Sequence, residues 1–174
     1  MLRAEPTEDL LDGYLEMCHE YQAEGETDYA TIRTFEDAQA RLERERCFAA
    51  GLVPSGSVRN FAYWFIDDAR DRILGTGRIR PVLNERFLRV GGHIGFDVRP
   101  SERRKGLGTA ILREMLGVAR EFGLVRVLVT VASGNTGSVL AIENNRGVFE
   151  SGVPDGADGI ILRYWISIEP SLRP

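Results

Sequence analysis

The stretch GHIGFDVRPSERRKGLGT, Gly92 to Thr109, decides how the chain is read. It reads as a strand, a sharp turn and the first turn of a helix. The strand is His93 to Val98, a run of apolar or small residues. Pro100 ends it, because proline has no N–H for a sheet ladder and biases Arg99 towards an extended backbone. Ser101 and Glu102 carry the turn. Arg103-Arg104-Lys105-Gly106-Leu107-Gly108 then leads into Leu107, Ile111, Leu112, Met115, Leu116, Ala119 and Phe122, spaced as one face of a helix. The first N–H groups of a helix lack intrahelical partners, and the helix dipole makes that end partly positive. Gly106 and Gly108 allow a ligand close to the backbone, and Arg103, Arg104 and Lys105 add formal charge. Strand, basic glycine turn and helix together make a pyrophosphate cradle.

Two familiar phosphate loops are excluded. A P-loop places its lysine after the glycines, and here Lys105 precedes them. A dinucleotide fingerprint needs a third glycine where Ile111 stands, and an acidic residue after the next strand, which instead ends in Ala132-Ser133-Gly134-Asn135. What remains is Arg103-x-x-Gly106-x-Gly108 after Val98-Arg99-Pro100, followed by an amphipathic helix, a strand and an Asn135-x-x-Ser138 segment. This arrangement resembles the coenzyme A signature of the GNAT superfamily of N-acetyltransferases. The resemblance is good over about residues 60 to 166 and poor over the first fifty-odd.

The length of 174 residues makes one domain, 1–174, the default. An apolar fraction of 43% and a charged fraction of 28% are ordinary for a globular protein. The net charge of -4 argues against broad nucleic-acid binding, so the basic turn suits a phosphate-bearing small ligand better than a polymer. Cys18 and Cys47 are far apart and lack metal-ligand spacing, so neither a metal nor a disulfide framework is expected. No apolar run reaches the length of a membrane span, and the N-terminus lacks the apolar core of a signal peptide. A cytoplasmic location is expected.

In order, Met1 to Pro6 offers a thin first strand, and Thr7 before Glu8, Asp9 and Leu10 reads as a helix cap, the helix running to about Ala23. Residues 24 to 34 read as a polar loop. A second helix is expected from Thr34 or Phe35 to about Cys47, with Phe35, Ala38 and Leu42 on one side and Glu43, Arg44, Glu45 and Arg46 on a solvated, ion-paired face. Strands follow at Asn60 to Asp67 and Arg72 to Val82, joined by a hairpin loop from Asp68 to Asp71, with Gly75 and Gly77 marking a bulge or close backbone contact. Asn84 to Arg89 is a connection without a clear pattern. After the deciding stretch come a helix to Phe122 closed by Gly123, a strand Val125 to Val131 and a short helix Asn135 to Asn144. A strand Gly147 to Ser151, a turn-rich loop Val153 to Gly159 and a last strand Ile160 to Ile168 complete the chain. The crossover through the long helix predicts a parallel pair within a mixed sheet. The class is α/β (α+β). The resemblance implies a mixed, mostly antiparallel central sheet of about six to seven strands with flanking helices and a central splay that admits the coenzyme.

The same resemblance implies an N-acetyltransferase that uses acetyl-CoA as co-substrate and needs no metal. Its acceptor would be a primary amine of a small molecule or peptide. By position, Phe96 and Val98 would offer backbone hydrogen bonds to the pantetheine arm. Arg103, Arg104, Lys105, Gly106, Gly108 and Thr109 would hold the pyrophosphate. Asn135 would contact the pantetheine, with Ser138 beside it, although either could simply cap the helix. Many relatives carry a tyrosine that protonates the leaving thiolate. Here Ile142 in Ala141-Ile142-Glu143-Asn144-Asn145-Arg146-Gly147 takes roughly its place, so the acid falls to water, Tyr164 or Tyr63. The candidates for general base are His93, which titrates near neutrality, Glu85, and Asp97, which alternates onto the face of His93. Three alternatives stay open: another acyl-CoA as donor, a coenzyme-binding sensor without catalysis, and a homodimer. The acceptor carries no motif.

Overall fold

The computed structural model describes residues 1–27, 29–69, 72–156 and 159–168. Its strands are β1 (Leu2–Ala4), β2 (Phe61–Ile66), β3 (Ile73–Ile79), β4 (Ile94–Val98), β5 (Arg126–Ala132), β6 (Val148–Asp155) and β7 (Gly159–Ser167). Its helices are α1 (Leu11–Ala23), α2 (Phe35–Ala50), α3 (Glu85–Arg89), α4 (Leu107–Glu121) and α5 (Thr136–Asn144). They form two sheets, ordered β1-β2-β3-β4 and β5-β7-β6, and every ladder between described strands is antiparallel.

The expected parallel pair of β4 and β5 therefore does not form a ladder. The two strands meet only at their root, where His93 N–H donates to Leu128 O at 2.8 Å. Gly92 makes that approach possible. It sits at φ 62, and a Cβ there would stand 2.3 Å from Leu128 O. Beyond the root the sheets part, which is the splay that the resemblance implied.

Side-chain alternation along the first sheet divides the interior in two. Phe65 and Ile79 face α4, whose buried residues Ile111, Leu112, Met115, Val118 and Ala119 also pack against Val127, Val129, Tyr164 and Ile166 of the second sheet. This helix thus bridges the two sheets. Gly75 and Gly77 let it lie close, since Cβ atoms there would come within 2.6 Å of Ile111 Cδ1 and 2.5 Å of Met115 Sδ. On the opposite face, Trp64, Ile66 and Ile73 pack under α1 and α2 with Leu11, Tyr14, Met17, Ala38 and Leu42.

Four local expectations change. Thr7 has extended backbone and makes no side-chain cap; a single 3-10 turn, Glu8–Leu10, precedes α1. The cap of α2 is Thr34, paired reciprocally with Asp37, and the helix continues to Ala50 until Gly51 stops it at φ 86. Asn84 to Arg89 is a capped short helix, Asn84 accepting from Phe87 N–H at 3.0 Å. The turn-rich Val153-Pro154-Asp155 belongs to β6, an edge strand where proline's missing N–H costs no ladder bond. Arg70 and Asp71 of the expected hairpin loop, and Ala157 and Asp158 of the later loop, lie outside the described residues.

Candidate active site

Strand β4 organises the site because its two edges have different partners. Arg80 N–H donates to His93 O at 2.8 Å, and Arg99 N–H to Leu74 O at 2.9 Å. With the register Asp97↔Thr76 and Gly95↔Arg78, the bonded pairs on β3 belong to residues 93, 95, 97 and 99. The backbone groups of Ile94, Phe96 and Val98 therefore point away from β3 and into the gap left by the splay. Tyr21 O–H already donates to Val98 O at 2.7 Å. What faces the gap is the backbone of Phe96 and the N–H of Val98.

His93 straps the root of this gap. Its Nδ1 accepts the Leu128 backbone N–H at 2.9 Å, and Gly91 N–H donates to Thr130 Oγ1 at 2.9 Å beside it. An amide N–H can only donate, so Nδ1 holds a lone pair and the neutral ring carries its proton on Nε2. Burial, with Arg126 nearby, pulls its pKa below the usual histidine value. A nitrogen bonded in this way is not free to take a proton from an amine. Glu85 is exposed at the start of α3. Neither His93 nor Glu85 lines the cleft described below, whereas Asp97 does.

The cradle closes the other end of the gap. Pro100–Glu102 forms a 3-10 turn, Arg104 takes φ 63 and Gly106 takes φ 81. Ala110 N–H is the first to bond back, to Gly106 O at 3.2 Å, so the N–H groups of Leu107, Gly108 and Thr109 have no intrahelical acceptor. Gly108 faces inwards: a Cβ would lie 3.6 Å from Ala141 Cβ, Phe96 Cε2 and Val98 Cγ2, where helix, gap and strand meet. The side chains of the turn are less committed to it than their charges suggest. Arg103 reaches back to Glu24 at 2.6 Å and Glu26 at 3.4 Å and lies over the Tyr21 ring. Lys105 pairs with Glu102 at 2.9 Å, and Arg104 is exposed. A row of unbonded N–H groups at a helix start, with exchangeable cations beside it, is a donor set that fits a pyrophosphate.

Helix α5 flanks the cradle. Asn135 Oδ1 accepts Ser138 N–H at 3.0 Å, so the asparagine does cap its helix; the Ser138 hydroxyl takes no part in that bond. Asn145 is the residue that sequence reading passed over. It is buried, and its Nδ2 donates to Thr109 O at 3.0 Å and Ala141 O at 2.8 Å, tying α5 to the first turn of α4. Ile142 is fully buried in the core shared with α4, and a Cβ on Gly147 would stand 2.3 Å from its Cγ2. Tyr164 is buried against Phe149, and Tyr63 lies beneath Arg3, so neither phenol lines the cleft.

On the face of β3 and β4 opposite α4, a cleft of about 320 Å³ opens between the sheet and helices α1 and α2. Asp97 stands in it, exposed, and accepts from Tyr29 O–H at 3.0 Å and Thr76 Oγ1 at 3.4 Å. Burial first, and then the charge of Asp97, raise the Tyr29 pKa well above the ordinary phenol value, so it stays a donor. The loop that carries Tyr29 read as polar, yet Tyr29 and Ile32 are buried and Gln22 Nε2 holds both of their carbonyls. At the other end of the cleft, Glu45 accepts from Arg41 Nε at 2.7 Å and from Arg78 Nη2. The expectation that Glu45 sits on a solvated face is overturned: it is 9% exposed, on the turn that follows Ala38 and Leu42. Arg80 completes the wall. Its guanidinium lies 4.6 Å from the Phe87 ring centre, reaches Gly91 O and Gly92 O at 3.4 Å, and pairs with no carboxylate among the described residues. Burial, followed by repulsion from Arg78, pulls its pKa down to about 10.

A model of the acetyltransferase (GNAT) family matches residues 14–147, and the chain belongs to that family. No curated protein sequence matches it. Among solved structures it is similar to the Microcin C7 self immunity acetyltransferase MccE in complex with acetyl-CoA and AMP, with TM-score 0.73 and 11% identity over 95% of this chain and 91% of that one. It is equally similar in fold to Mycobacterium smegmatis RimJ in complex with CoA-disulfide, with TM-score 0.73 and 17% identity over 95% and 80%. The ribosomal-protein-S5-alanine acetyltransferase from Vibrio fischeri gives TM-score 0.71 and 14% identity over 99% and 94%. The protein is an acyltransferase of the GNAT fold. Among the described residues, no helix is long and apolar enough to cross a membrane.

Proposed function

We propose that the protein transfers an acetyl group from acetyl-CoA directly to a primary amine, the coenzyme entering from the cradle and the amine from the cleft. The observation that carries this reading is the arrangement around β4. The edge facing the gap leaves the Phe96 backbone and the Val98 N–H outside the ladder with β3, and the same strand sends Asp97 into the cleft. The N–H groups of Leu107, Gly108 and Thr109, with Arg103, Arg104 and Lys105 around them, would hold the pyrophosphate. Asn135 and Ser138 would flank the pantetheine. When bound, acetyl-CoA supplies the activated acyl group and a thiolate leaving group.

The residues of the chain do the rest. A backbone N–H of β4 polarises the acyl oxygen as negative charge develops on it. Asp97 holds the incoming ammonium and draws its proton away through water, while Tyr29 and Thr76 fix the carboxylate. The amine nitrogen forms the new C–N bond as the C–S bond breaks, its second proton passes to solvent, and the thiolate takes one proton back from solvent, so one proton is released overall. Calorimetric titration with acetyl-CoA, followed by thiol release over a panel of amines, tests the reading. Binding without thiol release from any amine would make the protein a coenzyme sensor instead.

A further inference from the structure

The cleft is unevenly charged, and that unevenness bears on the acceptor. Its Glu45 end gathers three guanidiniums, Arg41, Arg78 and Arg80, around one carboxylate. Arg41 and Arg78 share Glu45, and the Nε of Arg78 is buried with no hydrogen-bond partner. Arg80 has only two long contacts to carbonyls and the face of Phe87. Burying a guanidinium without a counter-charge is costly, and a second guanidinium beside it adds to the cost. Such a pair is a recognition element for a carboxylate or phosphate, which arginine binds in a fixed fork.

The floor between this end and Asp97 is clear. Gly95 lies between Asp97 and the residue opposite Arg80, and a Cβ on it would meet nothing within 4 Å. Arg78 stands two residues and Arg80 four residues along β3 from Thr76, the partner of Asp97. At a strand rise of about 3.4 Å per residue, those positions are roughly 7 and 14 Å away. Arg78 is the nearer of the two. The Arg80 guanidinium rests at Gly91 O and Gly92 O, away from Asp97, on contacts of 3.4 Å that are long enough to exchange. It would turn back along the cleft to grip a ligand the length of a small amino acid.

Resting on the acetyl-transfer reading, we propose that the acceptor is a small amine bearing an anionic group, its ammonium held at Asp97 and its carboxylate or phosphate held by Arg80 and Arg78. The ligand neutralises the excess charge that the protein leaves uncompensated. The amine end then lies on the strand whose other edge faces the coenzyme.

Matched acceptors test this: propylamine against 3-aminopropanoate for a carboxylate, and 2-aminoethanol against O-phosphoethanolamine for a phosphate. The anionic member should be preferred in kcat/KM by about ten- to a hundred-fold, the worth of one charge-assisted hydrogen bond. Whichever pair shows the larger preference names the anion. Arg80→Gln should erase the preference, and Arg80→Lys should keep part of it, both with unchanged acetyl-CoA affinity. Equal or better turnover of the neutral amines overturns the proposal, as does an Arg80→Gln variant that slows both members of a pair equally. If acetyl-CoA binds and no amine releases thiol, the transfer reading fails on its own. Calorimetry with O-phosphoethanolamine and 3-aminopropanoate then decides this one: binding that Arg80→Gln abolishes supports it, and no binding overturns it.

Discussion

Substituting Gly108→Asp places a carboxylate at the junction of helix, strand and gap. The position accepts a Cβ, which meets its three nearest neighbours at 3.6 Å, ordinary contact distance. An acid in the first turn of a helix also favours the fold, by about 0.3–1 kcal/mol. Urea unfolding of the same variant separates loss of binding from loss of structure. Repulsion of a pyrophosphate charge 4 to 8 Å away, at an effective dielectric of about 20, comes to about 2–4 kcal/mol. That corresponds to a weakening of acetyl-CoA binding by about thirty- to a thousand-fold. Gly108→Ala is the control: the same Cβ without the charge, and better helix propensity by about 1 kcal/mol. Calorimetric titration of the wild type and both variants with acetyl-CoA, with urea unfolding alongside, gives the comparison. The charge effect should shrink as salt is raised. A folded Gly108→Asp protein that binds acetyl-CoA as the wild type does would refute the assignment of the cradle.

Asp97→Asn should lower turnover by about 10²–10⁴-fold while leaving the coenzyme dissociation constant unchanged; an unaltered rate with a reactive amine would remove Asp97 from the proton path. His93 has a folded pKa below its unfolded value of 6.5, so the unfolded state binds the extra proton in acid. Its contribution to stability is full above about pH 6.5 and is lost as pH falls towards the folded pKa, and His93→Gln should flatten that part of a urea-midpoint profile. The same variant should leave the pH–rate profile unchanged, and a lost titration in turnover would restore His93 as the base. Ile142→Tyr should destabilise by about 1–3 kcal/mol or more by overpacking, with no gain in turnover; a faster, equally stable enzyme would show that the site reaches this side chain.

The features legible in the sequence are those made by neighbours in the chain. The cradle is one continuous stretch, and Pro100, Gly106 and the apolar period of α4 act on residues a few positions away. The cleft is different in kind, because it exists only where α2 and the segment before it lie over β3 and β4. Nothing near Tyr29 announces that its phenol will meet Asp97, 68 positions on. Part of the signal was nonetheless present. Glu45 follows Ala38 and Leu42 at helical spacing, which puts it on the buried face rather than among its charged sequence neighbours. Thr76, Arg78 and Arg80 alternate with Gly77 and Ile79, and period two sends them to the side of β3 away from α4. The loss of the expected parallel pair has a more local cause. The ring and amide of His93 bond Leu128 at the root, and the chain then turns its next free backbone groups into open space.

Under the proposed transfer, strand β4 would let one short segment serve two substrates without mixing their sites. Its period-two alternation buries Ile94 and packs Phe96 and Val98 against the core under α4, while Gly95 and Asp97 open onto the cleft. The side chains thus divide between core and cleft, and the backbone edge faces the gap. A shift of one residue in its pairing with β3 would exchange all three at once. Asp97 would be driven towards Met115, Phe96 would fill the cleft, and the backbone groups now facing the gap would turn into the ladder. The register is held by contacts on both sides. His93 bonds Leu128 at one end of the strand, and at the other Arg99 is buried and paired to Glu20 at 2.7 Å and Glu16 at 3.3 Å on α1. A buried arginine tied to two carboxylates cannot move one residue along without leaving its charge unpaired, which is strongly destabilising. Arg99 and His93 therefore hold the strand between them, keeping the Asp97 carboxylate and the Phe96 and Val98 backbone on their separate sides, and under the proposed transfer they would act on catalysis only in that way.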